Sequence, residues 1–95
     1  WVGLDKGANE SKALASGAED ALSKIGFQKE ARPFSPHITI GRVRSAKNKS
    51  ALKDGVLSLT IEGCAEHRIA SVTLFRSLLT SKGPIYTKIH ESALR

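Results

Sequence analysis

The sequence predicts a small α+β domain in which an antiparallel sheet packs against one long and one short helix. Three observations carry this. One segment has helical periodicity, several later ones alternate with period two, and a sharp turn signal joins the last two apolar runs. Ninety-five residues give room for a single core. With 40% hydrophobic and 25% charged residues, the chain has a globular composition.

Trp1-Val2-Gly3-Leu4 reads as the second half of a strand. Without an initiating methionine, it suggests a piece of a longer protein. Asp5 to Asn9 is turn-like. From Asn9 to Ile25, the apolar residues Leu14, Ala18, Leu22 and Ile25 recur at helical spacing. Asn9 or Ser11 is the candidate cap, and Lys24 followed by Gly26 is the stop signal. Gly17 weakens the helix interior by roughly 1 kcal/mol without overturning it.

Arg32-Pro33 then leads into a strand across Phe34 to Arg42. Successive strand side chains point to opposite faces, so Ile38 and Ile40 share one face, expected to anchor in the core. His37 and Thr39 share the other, about 6–7 Å apart at Cα. An imidazole, able to hold either protonation state near neutral pH, thus stands beside a hydroxyl that can donate to a phosphate oxygen.

Residues 45–54 are polar and lysine-rich, a loop with a short helix around Lys49 to Lys53. Val56 to Glu62 alternates and is predicted as a strand, followed by another from Arg68 to Leu78. Ser81-Lys82-Gly83-Pro84 is the turn signal. Ile85 to His90 pairs back as the last strand, with Ile85, Thr87 and Ile89 on one face.

Net charge is +6, from 15 Lys+Arg against 9 Asp+Glu. This favours anionic partners without choosing among RNA, DNA, phosphorylated metabolites and acidic membrane. One cysteine, Cys64, excludes an internal disulfide and reads as a small buried thiol. No apolar run is long enough to span a bilayer, so no membrane association is expected and the expected compartment is the cytoplasm.

The run His37-Ile38-Thr39-Ile40-Gly41-Arg42, an H-x-T-x motif followed by Gly and a basic residue, resembles the 2H phosphoesterase superfamily. Within it, the likeness is to the LigT-like RNA 2′,3′-cyclic phosphodiesterases, also called 2′-5′ RNA ligases. Arg32-Pro33-Phe34, Val72 to Ser77 and Gly83-Pro84-Ile85-Tyr86 extend it over nearly all of the chain. The resemblance implies that residues 1–95 form the C-terminal lobe of a bilobal fold, the N-terminal lobe with its own H-x-T-x motif being absent.

The same resemblance implies an enzyme that converts 2′,3′-cyclic phosphate ends of RNA to 2′-phosphates, with related 2′-5′ ligation and no metal or other cofactor. Two histidines flank the phosphorus in such proteins, one activating water and the other protonating the leaving oxygen. By position His37 matches the second-motif histidine, which the likeness suggests is the base, and Thr39 would hold a non-bridging oxygen. Arg42 and Arg76 are candidate phosphate contacts, though each also reads as solvated surface charge. Tyr86 is a candidate to stack on a base or to pack at the rim.

His90-Glu91-Ser92-Ala93 repeats the motif only superficially, because Glu91 cannot anchor a strand as Ile38 does. The second histidine must then come from a missing N-terminal half or from a second copy of the chain. The remaining reading is a non-catalytic basic module that binds RNA.

Overall fold

The computed structural model describes residues 1–63 and 65–95. Cys64, expected as a buried thiol, lies outside them. The class is α+β with antiparallel pairing, as expected. The chain divides into two compact units, Trp1–Val56 and Leu57–Arg95, and the strands form two separate two-stranded ladders rather than one sheet.

In the first unit, β1 (Val2–Gly3) leads to α1 (Ala8–Ser23) and then to β2 (His37–Ile38). Gly7 caps α1 at φ 79°, a left-handed conformation that suits glycine, so the helix starts one residue before Asn9 and uses no side-chain cap. The predicted stop is present in full. Gly26 sits at φ 101°, its N–H donates to the Ser23 carbonyl at 3.2 Å, and the Phe27 N–H donates to the Leu22 carbonyl at 3.1 Å. This pair of bonds is a Schellman motif.

The chain then folds back along the helix. The Lys29 ammonium pairs with the Asp20 carboxylate, and the Glu30 N–H donates to Glu19 Oε1 at 3.2 Å. These two ties return the segment to α1 and direct residues 30–36 toward β2. They also change which side of the helix is covered. The partly covered stripe is Ala8, Ser11, Ala15, Glu19 and Ser23, whereas Leu14, Leu22 and Ile25 of the expected core stripe are exposed.

β2 pairs antiparallel with β1, Val2 opposite Ile38 and Gly3 opposite His37. The ladder ends there, so Thr39 lies just beyond it. Ile38 and Ile40 do not anchor in a core and remain 61% and 75% exposed. A ribbon of two residue pairs has no second layer over either face, and among the described residues no apolar side chain is fully buried.

α2 (Lys49–Ser58) spans the division between the units. It opens at Asn48, whose φ is 57° and whose carbonyl accepts the Leu52 N–H at 3.0 Å. The strand predicted over Val56 to Glu62 is therefore absent. The helix continues through Ser58, and residues 59–63 form no ladder. Alternation at Leu57, Leu59 and Ile61 lacks a partner strand, and growing a helix that has already nucleated is the cheaper course.

In the second unit, β3 (Ser71–Thr80) and β4 (Gly83–Ala93) form an antiparallel hairpin. Both run further toward the C-terminus than predicted. The turn falls where the sequence placed it, with Gly83 at φ 119° and the Thr80 hydroxyl donating to the Gly83 carbonyl at 2.6 Å. Leu74 lies opposite His90 but Phe75 lies opposite Lys88, so Ile89 is an extra, bulged residue.

Register assigns the two faces of the hairpin. Val72, Leu74, Arg76, Leu78, Ile85, Thr87 and His90 lie on one side. Ser71, Thr73, Phe75, Ser77, Tyr86, Lys88 and Glu91 lie on the other.

Candidate active site

His37 is fixed at three points. Its backbone sits opposite Gly3 in the β1–β2 ladder. Its ring lies against the Trp1 indole, centroids 5.3 Å apart and planes tilted by 46°. Its Nδ1 lies 2.6 Å from the Ser35 carbonyl oxygen. A carbonyl only accepts, so Nδ1 carries the proton and donates it.

In the neutral ring the lone pair must then be on Nε2, for which no hydrogen-bond partner occurs among the described residues. Nε2 is thus free to take a proton, and the imidazolium so formed can return one from the same atom. The residue as a whole is exposed.

His37 also lines a groove of about 420 Å³ between α1 and residues 30–37. Glu19, Glu30, Arg32 and Phe34 form its other main walls. A second hollow of about 480 Å³ continues past Arg32 and Phe34 to Lys12 and Ser16. Arg32 makes no ion pair among the described residues.

The other expected site residues are less organised. Thr39 follows His37 by two residues but stands outside the ladder, where strand alternation no longer fixes its direction. Arg42 is exposed on irregular chain in the same unit. Arg76 and Tyr86 belong to the second unit and lie on opposite faces of the hairpin, Arg76 opposite Thr87 and Tyr86 opposite Ser77. The Tyr86 ring meets Phe75 edge-on at 6.2 Å between centroids.

The superficial second motif behaves as its composition suggests. His90 and Ser92 share a face in β4, but Glu91 between them accepts from Ser71 Oγ at 2.8 Å and pairs with Lys88 at 2.7 Å. An ion pair occupies the position where β2 has an isoleucine. No described helix is long and apolar enough to cross a membrane.

Sequence reasoning missed Trp1, the Ser35 carbonyl and the groove. The indole contact depends on pairing across 34 residues of chain, which no local pattern announces. Pro36 beside Ser35 was the available sign of a bent approach to β2, since proline restricts the residue before it.

The family model for LigT like Phosphoesterase matches residues 2–86, a span that includes both Gly3 and His37. The chain belongs to the LigT-like phosphoesterases. Curated relatives named RNA 2′,3′-cyclic phosphodiesterase occur in Aeropyrum pernix (33% identical over 91 residues) and Methanocaldococcus jannaschii (36% over 91 residues). Another is found in Aquifex aeolicus, 34% identical over 92 residues. Each alignment covers 96% of this chain but only 52%, 51% and 48% of the respective relative. This LigT-like chain therefore spans about half the length of the curated relatives it matches. No solved structure matches it.

Proposed function

We propose that this chain is the His37-bearing part of an RNA 2′,3′-cyclic phosphodiesterase. The observation that carries the reading is the Nδ1–H bond to the Ser35 carbonyl, which leaves Nε2 as the open proton acceptor. The relatives' names give the reaction. Water loses a proton to His37 Nε2 as its oxygen forms a bond to phosphorus. The bond from phosphorus to O3′ breaks, and O3′ takes a proton from a second histidine outside this chain or in another copy. The products are a 2′-phosphate and a 3′-hydroxyl.

The Thr39 hydroxyl donates to a non-bridging oxygen, and Arg42, in the same unit, contacts a phosphate of the RNA. With a 5′-hydroxyl in place of water, the same displacement forms a 2′-5′ linkage. The positive net charge, +6, suits a polyanionic substrate.

The test is turnover of an oligonucleotide ending in a 2′,3′-cyclic phosphate, by this chain and by its His37→Ala variant, with and without the N-terminal portion of a relative. His37-dependent release of a 2′-phosphate end supports the reading. If no combination turns over while RNA affinity is unchanged in His37→Ala, the chain is a binding module.

A further inference from the structure

The groove beside His37 is lined by chemistry that phosphate binding does not explain. Two of its walls are carboxylates, Glu19 and Glu30, which repel a phosphodiester backbone. Glu19 Oε1 already accepts the Glu30 N–H, and the Glu30 carboxylate has no partner among the described residues. Phe34 lines the same space and brings an aromatic ring to the two carboxylates.

An aromatic face beside acceptor oxygens, within one groove that ends at the reactive imidazole, matches a nucleobase rather than a phosphate. Unstacked RNA bases are held in this way, stacked on an aromatic side chain and read along the Watson–Crick edge. Carboxylates there accept from exocyclic amino groups, as Glu and Asp accept from cytosine N4.

We infer that this groove is a subsite for the base of the terminal nucleotide and that it selects an amino-bearing base over uracil. Phe34 stacks on the ring, and Glu30, with Glu19 beside it, accepts from the amino group. Uracil presents a carbonyl at C4 where cytosine presents the amino group, so it sets oxygen against carboxylate. Arg32, which lines both hollows, faces the phosphate on the 5′ side. The inference rests on the phosphodiesterase reading for its placement next to the cyclic phosphate, but base selection is measurable without turnover.

The probes are cytidine 2′-phosphate and uridine 2′-phosphate, which differ at C4 and N3 of the base, titrated into this chain by NMR. The cytidine compound should bind at least about 10-fold tighter, the lower end of what one hydrogen bond to a charged group supplies. Phe34→Ala should weaken both by about 5-fold or more, with their ratio kept. Glu30→Gln, which offers a donor as well as an acceptor, should bring the ratio close to one.

Equal affinity for the two nucleotides overturns the inference, as does a Phe34→Ala variant that binds both like the parent. His37→Ala separates this subsite from the catalytic reading. A preference for cytidine that persists in a chain without turnover upholds the subsite alone. Turnover with no base preference removes the subsite and leaves the phosphodiesterase standing.

Discussion

The Nδ1 of His37 donates to the carbonyl oxygen of Ser35 across 2.6 Å. Because the acceptor is a main-chain atom two residues away, the tautomer is set by the bend of the chain entering β2 and needs no second side chain. This is the usual way a protein fixes which imidazole nitrogen stays open. Nitrogen NMR of the neutral His37 ring should therefore report a protonated Nδ1 and an unprotonated Nε2. Finding the proton on Nε2 would remove the base role.

Replacing His37 by alanine should lower turnover of a cyclic phosphate end by about 10²–10⁴, the range for losing one general acid or base. Affinity for single-stranded RNA should change by less than about 3-fold, since one exposed imidazole adds little to a polyelectrolyte contact. A parallel loss of affinity and turnover would make His37 a binding residue.

Trp1 is the second support of the ring. Aromatic pairs contribute about 0.5–1.5 kcal/mol beyond area burial, enough to hold one orientation of an exposed imidazole. Trp1→Ala should erase the ring-current shift of the His37 ring protons and reduce kcat about 2- to 10-fold with KM unchanged. Trp1→Phe should restore much of both. A rise in KM with kcat unchanged would place Trp1 against substrate instead.

How far the sequence foretold the fold depends on whether the deciding forces were local. The Gly26 stop and the Ser81–Pro84 turn were legible because positive φ and proline chemistry act within four or five residues. The pattern around His37 foretold a strand there, and the structure gives two paired residues of one, His37 and Ile38. The strand at Val56 to Glu62 was not, because alternation cannot tell a strand without a partner from a helix extending out of Asn48. The covered side of α1 was misjudged for a related reason. Ties from Lys29 and Glu30 to Asp20 and Glu19 pull chain over Ala15 and Glu19 and leave Leu14 and Leu22 exposed.

The proposed role of Thr39 can be tested by a single methyl-for-hydroxyl exchange. It lies past the β1–β2 ladder, so Thr39→Val leaves the Gly3–His37 pairing in place. A hydrogen bond to a charged group is worth about 1.5–3 kcal/mol, so kcat/KM should fall roughly 10- to 150-fold. Thr39→Ser should recover most of it. Equal activity of the valine and threonine forms would assign Thr39 no contact with phosphate.

The bulge at Ile89 has an electrostatic consequence with a definite sign. In a regular strand, residues three apart face opposite ways. The extra residue brings Lys88 and Glu91 onto one face, where they pair at 2.7 Å. The hydrogen bond from Lys88, then that from Ser71, holds the Glu91 carboxyl below its ordinary value of 4.5. A carboxyl lowered by folding stabilises the hairpin above that ordinary value and ceases to do so as pH falls through the folded one. Amide exchange in β3 and β4 should therefore show extra opening as pH falls below the ordinary carboxyl value of 4.5, and Glu91→Gln should remove that component. The effect should shrink in high salt, because both partners are exposed. An identical acid response in Glu91→Gln would mean that the bulge and not the ion pair sets the stability of the hairpin end.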